Sequence, residues 1–372
     1  MDDSPYRSRE ELLTEQFYDW EKRGRGWKVW DQPVELEPPF RPFFYHWTQP
    51  SGQIDDGKRP SFIGSLFKKA KAPFSGSEMA NSVNVDNEPE ESEEIPAITE
   101  EYPELVELSV ALPSSQVVNT NTAEQLLLGL NYANYPTALE IIGLSDHISL
   151  QMACREPDVS RLRQQIRSYF PEAVISEQGE YLRQHWHDSN HKQSVIVDFG
   201  LSNEFMLPLR TFGNFSVDPL IAFTGALSEL ANNEVGILQI LFQPVRYPWS
   251  ESIIRAVTDG DGKSFFADSP NMLSLSKEKI SRPLFAAVIR VGATSPEQDR
   301  SWQIAKALGG ALTQFANPSS NELIPLTNED YPDELHEEDL LSRQTHRSGM
   351  ILNSDELISL VHFPSSSVRS EK

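Results

Sequence analysis

The stretch SRPLFAAVIRVGATSPEQDRSWQIAKALGGALTQFANPSSNELIPL, from Ser281 to Leu326, reads as strand, helix, strand. Leu284 to Val291 is a near-continuous apolar run rich in β-branched residues, the pattern of a strand buried on both faces. Ser295 is the expected N-cap, with Pro296 at the first helical position. Trp302, Ala305, Leu308, Leu312 and Phe315 then recur at helical spacing along the expected inner face. Asn317-Pro318 stops the helix, and Glu322 to Leu326 resumes extended chain. A unit of this kind sets an architecture and carries no chemistry of its own.

Working outward, the same alternation covers everything from Pro103 on. Strands are expected at Glu104 to Leu112, Ala138 to Gly143, His147 to Cys154 and Glu172 to Ser176, with helices at Thr122 to Tyr132 and after Asp158. The order βαββαβ is the split βαβ, or ferredoxin-like, arrangement. It recurs with a strand at Gln193 to Phe199, a helix opened by Asp218-Pro219, a strand at Val235 to Phe242, and then the quoted stretch. The expected fold is α+β: two ferredoxin-like modules at 103–180 and 181–330, the second with a helical insertion at 244–281. An acidic loop and a short strand and helix occupy 331–372.

Residues 1–74 form an arm of different character. Four of the seven Trp lie there, Trp20, Trp27, Trp30 and Trp47, among Phe43, Phe44 and several Pro. A segment so aromatic, and so broken by Pro and Gly, suits wrapping over a surface, either this chain's own or a partner's. Ser61 to Phe74 reads as a short basic amphipathic helix, with Phe62 and Phe67 on its apolar side. These eight aromatic residues are the candidates for partner binding. Residues 75–102, dense in Ser, Asn, Glu and Pro, read as an acidic disordered linker.

The chain carries 55 acidic against 32 basic side chains, for a net charge of −23. The excess is local: no Lys or Arg occurs between Lys71 and Arg155, and Glu322 to Asp339 holds eight acids and neither Lys nor Arg. Both stretches read as solvated segments. Without a concentrated basic patch, direct binding to a phosphate backbone is disfavoured. Cys154 stands alone, so a disulfide framework and a cysteine-rich metal site are ruled out, in keeping with a reducing compartment. The expected setting is cytoplasmic, with access to the inner face of a membrane only through a partner.

The search for chemistry returns little. There is no GxxxxGK[ST] phosphate loop and no GxSxG elbow. Thr258 to Gly262, TDGDG, lacks the spaced further acids of a calcium loop and reads as a tight turn. His185, His187 and His191, in HWHDSNH, are the single metal-like cluster, set in what reads as a polar connection. No catalytic residue, cofactor or firm metal site is named, and the chain is not expected to be an enzyme.

Several segments resemble one family: EQLLLGLNYANYPTALEIIGLSDHISLQMACREPDVSRLRQQIRSYFPEA at 124–173, DFGLSNEFMLPLRTF at 198–212, QILFQPVRYPWSESI at 239–253, RPLFAAVIRV at 282–291 and SGMILNSDELISLVHFPSSSVRSEK at 348–372. They are similar to the region ahead of the motor in conjugative type IV secretion, TraG-like DNA-transfer ATPases of the HerA/FtsK class. No Walker residue of that family has a counterpart here, and the sequence stops where the motor would begin. The resemblance implies a non-catalytic assembly module of a DNA-translocating complex, oligomeric, partnered by a HerA/FtsK-type ATPase in trans or within a longer chain. A nucleic-acid-binding module and a metal-dependent enzyme at the three-His cluster are the alternatives.

Overall fold

Apolar runs alternate with helix-forming segments from residue 105 to residue 357, and the computed structural model places them in that order. It describes residues 29–38, 40, 102–113, 118–187, 193–259, 261–264, 271–364 and 368. The elements are β1 (Leu105–Ala111), α1 (Thr120–Gly129), β2 (Thr137–Gly143), β3 (Ile148–Arg155), α2 (Glu156–Tyr169), β4 (Val174–Gln178), α3 (Tyr181–His187), β5 (Gln193–Leu201), α4 (Leu220–Leu227), β6 (Val235–Pro244), α5 (Trp249–Val257), α6 (Met272–Ile280), β7 (Leu284–Ser295), α7 (Gln298–Leu312), β8 (Leu323–Pro325), α8 (Asp333–Ser342), β9 (Met350–Asn353) and α9 (Ser354–Leu357). All of them belong to one unit; a second unit, 44–94, lies outside the described residues, as do the expected amphipathic helix and most of the linker.

The fold is mixed helix and sheet. The strands form one sheet in the order β4-β1-β3-β2-β6-β7-β5-β8, every pairing is antiparallel, and β9 lies beside β7. The quoted stretch is its spine: β7 pairs β6 along nearly its whole length, β5 over its second half and β9 over its first residues. The two halves of the chain meet edge to edge where β2 pairs β6. The main core gathers Leu127, Leu162, Phe223, Ile289, Leu308 and Phe315. A smaller cluster joins Leu182 and Trp186 of α3 to Ile196, Ile237, Leu340 and Leu341.

Three local expectations are corrected. Ser295 does not cap α7: β7 runs through it and Glu297 is the N-cap. Trp302 does not face the core. The buried stripe runs through Ser301, Ile304, Ala305, Leu308 and Leu312, which turns the indole to the stripe's edge, 40 % exposed. The stretch Glu322 to Asp339 is no simple solvated loop, since it contains β8 and most of α8, with His336 and Asp339 buried. The turn after Thr258 uses its own carboxylate, Asp259 Oδ1 accepting from Asp261 N at 3.0 Å and Lys263 N at 2.7 Å.

The described part of the arm lies on this chain. Trp30 N donates to His346 O at 2.9 Å and Val34 N to Thr345 O at 2.8 Å, while Leu36 O accepts from Gly349 N at 2.7 Å. The Glu37 carboxylate gathers Arg246 N, Tyr247 N and Trp249 Nε1 at 2.7–3.0 Å, and Phe40 stacks on Tyr247. A Cβ at Gly349 would lie 2.5 Å from Ala287 O and 2.8 Å from Leu36 O, both backbone atoms that cannot yield alone. Gly349→Ala is therefore expected to cost about 1–3 kcal/mol and to speed amide exchange across 29–38. Unchanged exchange in that segment would contradict the arm's placement.

Candidate active site

Five strands each carry a charged or amide side chain between two apolar neighbours, and the register brings these residues into line. Gln151 on β3 stands opposite Glu140 on β2, Glu140 opposite Gln239 on β6, Gln239 opposite Arg290 on β7, and Arg290 opposite Asp198 on β5. All five are at most 3 % exposed. Polar groups this deep require partners, and α8 with the chain that follows it supplies many of them.

At one end Arg343 forks onto Glu140, Nε to Oε1 at 2.7 Å and Nη2 to Oε2 at 2.8 Å, and also reaches Glu107. Gln151 and Gln239 each donate to Glu140 at 2.6 Å. Burial alone would raise the Glu140 carboxyl, but Arg343 and these hydrogen bonds outweigh it and hold the group below the usual carboxylate range. The short cleft at this end, about 200 Å³, is lined by groups that already have partners: Arg183 pairs Glu338 at 2.8 Å, and Arg155 donates to Pro103 O and Ser342 O.

The other end is built differently. Asp198 has His336 Nε2 at 3.2 Å, Arg290 Nε at 3.4 Å and Arg347 Nη1 at 3.6 Å. Burial pushes its carboxyl up, and these three cationic or cation-forming groups more than reverse that, holding it well below the usual range. Neither Asp198 oxygen has a hydrogen-bond partner among the described residues. The His336 ring stacks on Tyr331, centroids 4.0 Å apart. Tyr331 in turn donates to Asp339, whose Oδ2 lies 2.9 Å from His346 Nδ1. Burial, together with Asp339 and Asp198, keeps the Tyr331 phenol protonated far above its usual range.

His336 also lines a cleft of about 380 Å³, which exists because a sheet ladder opens. β8 pairs β5 only over Phe199–Leu201. Leu326 N still reaches Asp198 O at 2.8 Å, but then the strands part, and Asn328 Nδ2 covers Ile196 O at 2.8 Å. Residues 194–197 form the floor, residues 325–328 one end, Gln298 and Trp302 of α7 one wall, and Asp333 and His336 of α8 the other. Ser194 Oγ at its margin donates to Glu337 at 2.8 Å. A buried imidazole backed by a carboxylate and bordering a cleft of ligand size is the arrangement of general acid–base chemistry.

The residues singled out in the sequence lie elsewhere. His185 and His187 belong to helix α3 and not to a polar connection. Two positions apart on a helix, they point about 200° from each other, so they do not converge. His185 Nδ1 is bonded to Tyr181 O at 2.8 Å, His187 lies 3.7 Å from Glu337, and His191 is outside the described residues. Among the described residues no group of three or more His, Cys, Asp or Glu is placed to hold a metal ion. Of the partner-binding candidates only Trp30 is described; Trp20, Trp27, Phe43, Phe44, Trp47, Phe62 and Phe67 are not. Cys154 is buried, and burial pushes its thiol up to about 12, so it is no nucleophile. No helix among the described residues is long and apolar enough to cross a membrane.

No family model matches the chain, and no curated protein matches its sequence. Among solved structures it is similar to aclacinomycin oxidoreductase, at 10 % identity and a TM-score of 0.27 over 65 % of this chain. It is also similar to 6-hydroxy-D-nicotine oxidase from Arthrobacter nicotinovorans, at 15 % identity and a TM-score of 0.29 over 67 % of this chain. The match covers 47 % and 55 % of those chains, so this protein spans about half their length. Both are enzymes. With that finding the expectations of a non-catalytic assembly module, and of a chain that is not an enzyme, are withdrawn. Likenesses this distant assign no reaction or cofactor to this chain.

Proposed function

We propose that the chain is an acid–base enzyme whose site is the cleft at the open end of β5, where a polar substrate lies against His336. The observation that carries this is the His336–Asp198 pair at 3.2 Å on the wall of a cleft of about 380 Å³. With Nε2 turned to Asp198, Nδ1 is the ring nitrogen left for the substrate. Asp198, kept ionised by the charges of His336, Arg290 and Arg347, orients the ring. Trp302 supplies an apolar wall on which a planar part of the substrate rests.

The strand orders β4-β1-β3-β2 and β6-β7-β5-β8 support the finer reading of the fold as two split βαβ modules, since each sets its first strand between its third and fourth. Kinship with the pre-motor region of conjugative ATPases rests on the quoted segments, as a proposal of descent that assigns no role to the cleft.

The test is turnover of a panel of small amides and esters by the full chain. The expected result is product formation that His336→Gln lowers about 10²-fold or more in kcat, with KM little changed. Turnover equal in wild type and variant across the panel, or none above background, would sink the proposal.

A further inference from the structure

The floor of the cleft is the edge of a strand. In an antiparallel ladder the backbone groups of successive residues point alternately to the two neighbouring strands. Leu326 N bonds Asp198 O, so the even-numbered residues of β5 face away from β7, and on that side Ser194 and Ile196 have no strand beside them among the described residues. Ile196 O is met by the Asn328 side chain and by no backbone donor. The opening thus presents a short unpaired strand edge between two helices, with Trp302 on one side and His336 on the other. Asp333 lines it, and Glu337 stands at its margin, where its Oε2 accepts from Ser194 Oγ at 2.8 Å.

Building on the acid–base reading of the same cleft, we infer that the substrate is an extended peptide segment bearing Lys or Arg, which pairs its backbone with the edge of β5 at Ser194 and Ile196. An unpaired edge binds an extended amide backbone by adding it as a further strand, and the pockets beside it select alternate side chains. Asp333 and Glu337 beside the edge favour positive charge on that chain. A peptide so placed carries an amide bond past His336, and the indole of Trp302 offers a face to a cationic or planar side chain.

The experiment is fluorescence anisotropy with labelled short peptides of alternating Lys and Val, their Glu and Val counterparts, and Lys and Val peptides N-methylated at alternate backbone positions. The Lys peptide should bind the full chain, the Glu peptide should not, and N-methylation in one of the two registers should weaken binding about tenfold. Asp333→Asn should weaken it about threefold. Equal binding of the methylated and unmethylated peptides, or of the Lys and Glu peptides, would overturn the inference. So would the absence of binding while small amides are still turned over, an outcome that leaves the acid–base reading standing. Peptide binding without any His336-dependent turnover would sink that reading and keep this one.

Discussion

Replacing Arg343 by Met is expected to destabilise the protein by roughly 3–5 kcal/mol, because it strands two carboxylates, Glu107 and Glu140, that are 2 % and 0 % exposed. The pH dependence should change sign as well. In the wild type Glu140 sits below the ordinary carboxylate value of 4.5, so its contribution is complete above that pH and is lost as pH falls through the lowered folded value. Without Arg343 the largest remaining influence on Glu140 is burial, which raises it. The variant should then gain stability on acidification from neutral pH towards 5, where the wild type does not. Urea unfolding midpoints measured across that range give both quantities. A loss under 1 kcal/mol, or parallel pH curves, would mean that Arg343 is not the counter-charge the geometry makes it.

The second large effect lies at the Lys279–Glu356 pair, where both side chains are fully buried and 2.7 Å apart. Glu356 also accepts from Leu209 N and Asn353 N, each at 2.7 Å, and completes the capping box of α9. One carboxylate therefore ties α6, α9 and the chain after β5 together. Glu356→Gln keeps the shape but removes the charge, leaving a buried ammonium without compensation at a cost of roughly 3–5 kcal/mol. Adding Lys279→Met should recover part of that loss, because the stranded charge goes with it. A double variant no more stable than Glu356→Gln alone would show that the backbone contacts, and not the ion pair, dominate.

How far these features were legible depends on the physical signal each leaves. The runs at 137–143, 235–244 and 284–295 and the helix at 249–257 announce themselves through apolar periodicity, because burial on one or both faces is what that pattern encodes. The boundary of α7 and the exposure of Trp302 did not follow, since a helical stripe fixes phase only to within a residue. Helix α8 was hidden by composition: its acids suggested solvent, while the residues that dock it, His336, Asp339, Leu340 and Leu341, are spread among them. The polar row does leave a signal, one Gln, Glu, Arg or Asp inside each of LQM, LEI, LQI, IRV and VDF. Its meaning needs the strand order, which brings together residues as far apart as 140 and 239. The cleft leaves no trace in the sequence, because it is made by two strands parting.

The line of polar side chains across the sheet has a consequence for how the chain finds its fold. Side chains alternate between faces, so sliding any one of the five strands by a single position would carry its polar residue into the apolar cluster and an apolar one into the line. Each neighbour's hydrogen bond or ion pair would then be lost at once. Nearly uniform apolar strands such as β6 and β7 would otherwise tolerate such slips, because one aliphatic residue replaces another at little cost. Gln239 and Arg290 make every shifted pairing distinguishable from the native one, and act as an error check on the assembling sheet.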